Sequence, residues 1–451
     1  MAAALRALAV AAIYPGIWFS DTNSYVHAAA TGTVSAIRTT GYSLFVAPFY
    51  HAHSAGALIV AQHLIGLAMI VVLYVWLVRR GVSRWVAVLA VVPAALDAYL
   101  VDIEHTIMAE TVFHASVVGA IVVLLWNERV GLAAAVAGGL LLGYAGLVRS
   151  PAIPFIALFA LYLLLRRAGW RPLVGLCVAW AVVVGGYMTV YHAQHGVFAL
   201  TQFDGRFLYA KAARFADCGK LTLPPDERAL CPDPAHRLTS NAYMWGASSP
   251  IHGLPVTDDA RVRDFALTAI GHDPLTYARG VGRDVAHYFE PGRRIGANDY
   301  PDTVWQFPSD PRTWAYPGYR GPIRPGHAVR KRSIDPGAYI TAMASQPRLD
   351  PAASQRLHDY QALAYTPGPL LAACLLVVVL ALALARGRGR VLALDGALLA
   401  ACTVTSLVMV SAFSIFDYRY GLLAVILLPA AAALGATALW HRRQPTRRTS
   451  R

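Results

Sequence analysis

Apolar residues in this chain come in blocks of about 18–22, and blocks of that length can cross a bilayer as helices. Ten such spans are predicted, over residues 2–19, 56–78, 85–101, 106–126, 131–148, 151–166, 172–191, 367–385, 391–413 and 421–440. Between the seventh and the eighth lies a long polar segment, 192–366, rich in Pro, Gly and Tyr. Within it, apolar residues recur at spacings of three and four over Asp258–Ile270 and Thr276–Phe289, which predicts two helices. The stretch Glu290–Pro336 is dense in Pro, Gly and Arg and reads as ordered loop or flexible cover. The expected fold class is an all-α polytopic membrane protein of about ten transmembrane helices with a mixed, mostly helical extracytoplasmic domain. Its parts would be an N-terminal membrane module (1–191), the outer domain (192–366), a C-terminal membrane module (367–441) and a basic cytoplasmic tail (442–451). Ala2–Phe19 could also be a signal peptide cleaved at Ala28-Ala29-Ala30. The polar stretch Ser20–His27 is long for that purpose, so an uncleaved span is the expectation.

Composition agrees with that pattern. Of 451 residues, 57% are hydrophobic and 14% charged, where soluble domains carry about 25% charge. Mean hydropathy is +0.47. These values exclude a disordered chain and argue against an ordinary soluble enzyme. The net charge of +14 would suggest nucleic acid in a soluble protein. Here the positions of the charges explain it instead. Arg6, Arg79–Arg84, Arg129, Arg166–Arg171, Arg386–Arg390 and the Arg442–Arg451 tail all fall on one side of the ten-span arrangement. The short loops opposite hold Arg38, Arg149 and Arg419 among Asp21, Asp97, Asp102, Glu104, Glu110 and Asp417. The positive-inside rule then puts both termini in the cytoplasm and 192–366 outside, with no nucleic-acid partner.

Charges at membrane depth are costly and usually functional. In this chain they gather at the outer ends of the spans: Asp21 after the first, Arg38 before the second, Glu104, His105 and Glu110 around the third turn, Arg149 between the fifth and sixth, Asp417 and Arg419 before the last. Asp97 and Asp102 read as solvated loop acids, and Glu110 as a bundle partner or a helix-start acid. Asp395 reads as neutralising the Arg386–Arg390 cluster. Gln62 and His63 read as helix-to-helix hydrogen-bonding groups. His192 and His195 have no further ligands nearby, so no metal site is read there. Cys218 and Cys231, thirteen apart in a compartment that allows oxidation, read as a disulfide or as two separate thiols. No internal repeat, nucleotide loop or nucleophile elbow is present, and no cytoplasmic loop is large enough for ATP.

A lipid-phosphate leaving group needs cations, and arginine meets phosphate with a planar fork. An attacking hydroxyl needs a base, which a carboxylate can be. With no ATP outside the cell, the energy must arrive in the donor, and a polyprenyl-phosphate sugar supplies it.

Several pieces, in order, resemble the lipid-carrier-dependent glycosyltransferases of the GT-C superfamily, in particular the protein mannosyltransferase and aminoarabinose transferase-like branch. They are Asp21 with Tyr25, Arg38 with Gly41-Tyr42-Ser43-Leu44-Phe45, Glu104 with Met108-Ala109-Glu110-Thr111-Val112-Phe113, Gly143-Tyr144-Ala145-Gly146-Leu147-Val148-Arg149-Ser150-Pro151, and Tyr418-Arg419-Tyr420. The resemblance covers roughly 1–191 and 367–440; the outer segment resembles uncharacterised actinobacterial members only. It implies Asp21 and Glu104 as catalytic acids and Arg149 and Arg419 near the carrier phosphate. Arg38, His105 and Tyr418 complete the expected substrate site. Asp21-Thr22 stands where the family often has an Asp-Glu pair, so no metal ligands are assigned. A divalent cation, Mg or Mn, stays open as a cofactor. The implied activity is transfer of a mannose- or arabinose-like sugar, with inversion, from the lipid donor to a lipid, glycan or protein acceptor in cell-envelope assembly or protein glycosylation. The competing readings are a transporter or flippase of lipid-linked sugars and a non-catalytic envelope-assembly protein. Transport predicts polar groups near the bilayer midplane and repeated halves.

Overall fold

The computed structural model describes residues 1–309, 343 and 348–443. These form helices α1 (Ala2–Ala12), α2 (Thr22–Thr31), α3 (Gly41–His51), α4 (Ala55–Arg79), α5 (Arg84–Leu96), α6 (Ala98–His105), α7 (Glu110–Leu125), α8 (Leu132–Val148), α9 (Phe155–Leu165) and α10 (Trp170–His195). The polar segment supplies α11 (Asp204–Ala212), α12 (Ser240–Trp245), α13 (Asp259–His272), α14 (Pro274–His287) and α15 (Pro351–Leu363). The chain ends in α16 (Gly368–Leu384), α17 (Arg388–Phe413) and α18 (Leu422–Arg443). The expected helices near 258–270 and 276–289 are α13 and α14. Part of the predicted Pro-rich loop, 310–336, and tail residues 444–451 lie outside the described residues.

Among the described residues, four helices are long and apolar enough to cross a membrane, or up to six if each of two bent pairs is one span. The chain is thus all-helical with helices of membrane-spanning character, and the ten predicted apolar blocks do not all reach that length. Each block after the first does coincide with a helix, because a run of apolar residues satisfies its backbone locally and offers side chains to neighbours on every face. Leu64, Val71, Leu89, Leu164, Val182 and Leu376 are more than half exposed, a pattern that calls for an apolar surrounding.

The first block departs from expectation. It is helical only to Ala12, about 16 Å at 1.5 Å per residue, roughly half a hydrocarbon core. Pro15 disfavours the helical region for the residue before it. Ile13–Tyr14 are extended and pair antiparallel with Arg348–Leu349, a two-residue strand in the polar segment. Arg6, counted above as a cytoplasmic flank, instead pairs with Glu104, counted above as an outer-loop acid. The third block also differs: Asp97 ends α5 and caps α6 by accepting from Tyr99 N and Leu100 N, and the pair bends by 50°. Asp97 is therefore buried rather than solvated, as is Asp102.

One large apolar core joins the membrane-type helices, and a second lies within α11–α13 of the polar segment, termed the outer unit after its expected side. The second is pinned by the Cys218–Cys231 disulfide, with Cα atoms 6.1 Å apart. This outer unit sits on the turn between α17 and α18: Tyr277 Oη donates to Ala412 O at 2.9 Å, Tyr288 Oη donates to Asp417 O at 3.1 Å, and Tyr300 N donates to Phe416 O at 2.8 Å. Asp395 is fully buried and takes Arg80, Arg166 and the Tyr162 hydroxyl, rather than Arg386 or Arg390 of the cluster expected beside it.

Candidate functional site

Asp21 stands at the end of an irregular strap, residues 13–20, that is laced to the segment after α6. Ile17 N donates to His105 O at 2.9 Å, and Ile107 N donates to Ile17 O at 3.0 Å. Thr22 Oγ1 donates to Ile107 O and accepts from Phe19 N. Asp21 is the N-cap residue of α2, but its side chain makes no capping bond. Its carboxylate faces arginines instead: Arg38 Nη2 at 2.7 Å and Arg419 Nη1 at 3.8 Å.

Arg38 reaches this position from the loop before α3. Gly41 lets that loop press against the Leu147–Val148 backbone, where any Cβ would collide. Burial works to lower the Arg38 guanidinium pKa, but the Asp21 carboxylate beside it raises it, and the net shift is upward. Arg419 lies on the 3-10 turn Tyr418–Gly421, started by Asp417, whose carboxylate accepts from Arg419 N at 2.9 Å. Its Nε lies 3.2 Å from Glu110 Oε1 and 3.4 Å from Asp417 Oδ2. The guanidinium is stacked over Trp305 at 4.4 Å and Tyr420 at 4.8 Å. Glu110 also pairs closely with Arg149, whose guanidinium lies over the Tyr420 ring at 4.9 Å. Asp21, Glu110 and Asp417 thus interleave with Arg38, Arg149 and Arg419. Glu110 Oε2 and Arg419 Nη1 have no hydrogen-bond partner among the described residues.

Two cavities open from this group. One, of about 340 Å³, runs among Tyr25, Met108, Val148, Ile153, Met409 and Val410, with Arg149 and Glu110 at its edge. The other, of about 520 Å³, extends under the outer unit past Asn23, Lys211, Ser240, Asn241, Trp245 and Tyr300. Asp21, Arg38, Phe413, Arg419 and Tyr420 line both. Their sizes fit small-ligand sites, whose usual range is about 300–1,000 Å³.

Of the residues expected in the substrate site, Asp21, Arg38, Arg149 and Arg419 come together. Glu104 and His105 do not join them. Glu104 is buried against Arg6, with Nε and Nη2 both at 2.7 Å from its oxygens, and against His63 at 3.1 Å. His105 lies between His63 Nε2 and Ile13 O. Neither lines either cavity. The physical reason is the bend at Asp97, which turns α6 inward so that its acid is matched by the arginine of α1. Glu110, on the next helix, occupies the place expected for Glu104. Tyr418 is also elsewhere: its hydroxyl accepts from Arg294 N at 3.0 Å, and its ring flanks Arg293. Successive residues of a 3-10 turn point about 120° apart, so Tyr420 faces the cavities and Tyr418 cannot. Trp305 and Tyr300 were not anticipated; nothing local in the sequence marks them, since the site residues they meet, Phe19 and Arg419 among them, lie more than a hundred residues away.

Among the described residues no group of three His, Cys, Asp or Glu could hold a metal ion. The acids of the site each face a guanidinium, a donor set that does not fit the divalent cation kept open above. His192 stacks on Phe198, and His195 bonds Val34 O. Compared with family models, curated proteins and solved structures, the chain gives no match to any of the three.

Proposed function

We propose that this chain is an integral membrane glycosyltransferase that moves a sugar from a polyprenyl-phosphate donor to an extracytoplasmic hydroxyl. The observation that carries the reading is the Asp21 carboxylate on a wall shared by two cavities, flanked by arginines that belong to both. The smaller cavity, apolar with Arg149 and Arg419 at its edge, suits a prenyl chain whose phosphate meets guanidinium forks. The larger suits the acceptor. Asp21 takes the acceptor hydroxyl proton as the oxygen forms its bond to the anomeric carbon. The anomeric carbon–oxygen bond to phosphate breaks on the opposite face, and its electron pair leaves with the phosphate. Arg149 and Arg419 stabilise that developing charge, the largest expected contribution. The displacement inverts the anomeric centre.

A cytoplasmic C-terminus and an outer 192–366 belong to the same reading, with α1, too short to cross, left out of the passes. The remaining arginine clusters support that topology without Arg6. The test is transfer in proteoliposomes from polyprenyl-phosphate mannose or arabinose. Asp21→Asn is expected to lose about 10²–10⁴-fold in turnover with unchanged thermal stability. Near-native turnover in that variant overturns the assignment.

A further inference from the structure

We infer that the larger cavity is a carbohydrate site, taking a neutral glycan whose sugar ring stacks on Trp245 and whose hydroxyls bond Ser240 and Asn241. This rests on the proposed reaction only in making that glycan its acceptor; the binding itself stands on the cavity.

Trp245 ends α12, a single turn held in place at both edges. Thr239 caps it by accepting from Ala242 N, and Asn298 Oδ1 accepts from Ser240 N at 2.7 Å. The buried Tyr243 roots the turn in the outer core. One face of the Trp245 indole is stacked on Phe203, with centroids 5.4 Å apart and planes 22° apart. The residue is nonetheless 51% exposed and lines the cavity. A large aromatic surface held rigidly and left open on one face suits a flat ligand with apolar C–H faces and a polar edge.

Ser240 provides the second, independent observation. It is fully buried and lines the cavity, yet its hydroxyl has no hydrogen-bond partner among the described residues. Buried hydroxyls in native proteins are nearly always paired, so this unpaired one in the cavity wall is spare hydrogen-bonding capacity. Asn241 beside it adds an amide that can both donate and accept.

Charge decides the class. Two charged lining residues are not shared with the smaller cavity: Asp417, which Arg419 Nε meets at 3.4 Å, and Lys211, whose Nζ Asp284 meets at 2.6 Å. Each is buried against a counter-charge, so this part of the cavity asks for no ionic ligand. A peptide would commonly be held by adding a strand to an exposed edge. Among the described residues the sheet is only Ile13–Tyr14 with Arg348–Leu349, and neither strand lines this cavity. An aromatic platform, unpaired hydroxyl and amide in a neutral pocket match polyhydroxylated rings.

The test uses the full chain in nanodiscs, with linear hexasaccharides of mannose, arabinose and glucose as probes and saturation-transfer NMR as the readout. At least one of the three is expected to bind the native protein. Trp245→Ala should weaken that binding at least tenfold, Trp245→Phe should restore most of it, and Ser240→Ala, which leaves the fold undisturbed, should weaken it three- to tenfold. If none of the hexasaccharides binds, if Ser240→Ala and Trp245→Phe/Ala leave binding unchanged, or if a Ser/Thr-rich peptide binds in their place, the inference is overturned. Failure of the glycosyltransferase reading would look different: hexasaccharide binding would persist and respond to these variants, while release of polyprenyl phosphate would not depend on Asp21.

Discussion

Two groups of buried charges lie within reach of the same strap. In one, Arg6, Glu104, His63 and His105 close on themselves: both Glu104 oxygens meet Arg6, His63 bridges to His105, and His105 ends on Ile13 O. Gly66 packs so tightly on the Glu104 carboxylate that a Cβ there would collide. In the other, Asp21, Glu110 and Asp417 share three arginines, yet Glu110 Oε2 and Arg419 Nη1 stay unpaired and cavities adjoin. Both set buried carboxylates against arginine. What separates them is unused hydrogen-bonding capacity beside open space, which a substrate can satisfy. The closed group has a different task. It ties α1 to α4 and α6, and the segment after α6 holds the strap that presents Asp21. Glu104 is in this account a positioning residue.

The comparison breaks most sharply on paired variants. Asp21→Asn should remove transfer and leave the fold intact, whereas Glu104→Ala leaves Arg6 buried and unpaired. The latter is expected to cost about 3–5 kcal/mol of stability, read by denaturant or thermal unfolding in detergent, with turnover per folded molecule within a few-fold of native. A stable Glu104→Ala protein as inactive as Asp21→Asn would merge the two groups and return Glu104 to the chemistry. Next in size, replacing Cys218 and Cys231 by serine should cost about 2–4 kcal/mol, confined to the outer unit. Hydrogen exchange should rise in α11–α13 and not in α4 or α10; two thiols alkylated without reductant would show that the bond does not form. A smaller effect is expected at Arg149. Arg149→Ala should lower kcat/KM for the donor by roughly ten- to a hundredfold, the worth of a charge-assisted hydrogen bond of about 1.5–3 kcal/mol. Arg149→Lys should restore only part, because a point charge lacks the planar fork. Unchanged donor dependence would place Arg149 with the merely structural ion pairs.

Much of the fold was legible because its cause is local. Apolar runs after residue 55 became helices where the runs lie, and the spacing within the outer segment located α13 and α14 to within a residue or two. The site was legible in part. Asp21, Arg38, Arg149 and Arg419 stand out because each is a charge at the edge of an apolar block, and that signal survives folding. Their partners carried no such mark. Tyr420 was indistinguishable from Tyr418 until the 3-10 turn aimed them apart, and Glu110 was indistinguishable from Glu104 until α6 bent at Asp97. Asp395 pairs with Arg80 and Arg166, more than two hundred residues away, although Arg390 is five residues from it.

The amino-acid order alone thus determined that the chain is helical and apolar, where most of its helices lie, and which charges are exceptional in such surroundings. Those properties follow from residue type and from neighbours within a few turns. The tertiary structure decided which acid met which arginine, which of them were left with an unsatisfied atom, and that two cavities meet at Asp21. Such pairings depend on helix rotation, on one bend and on strands joined across more than three hundred residues. No local pattern encodes them, because a charge buried among helices takes whichever counter-charge the packing brings within reach.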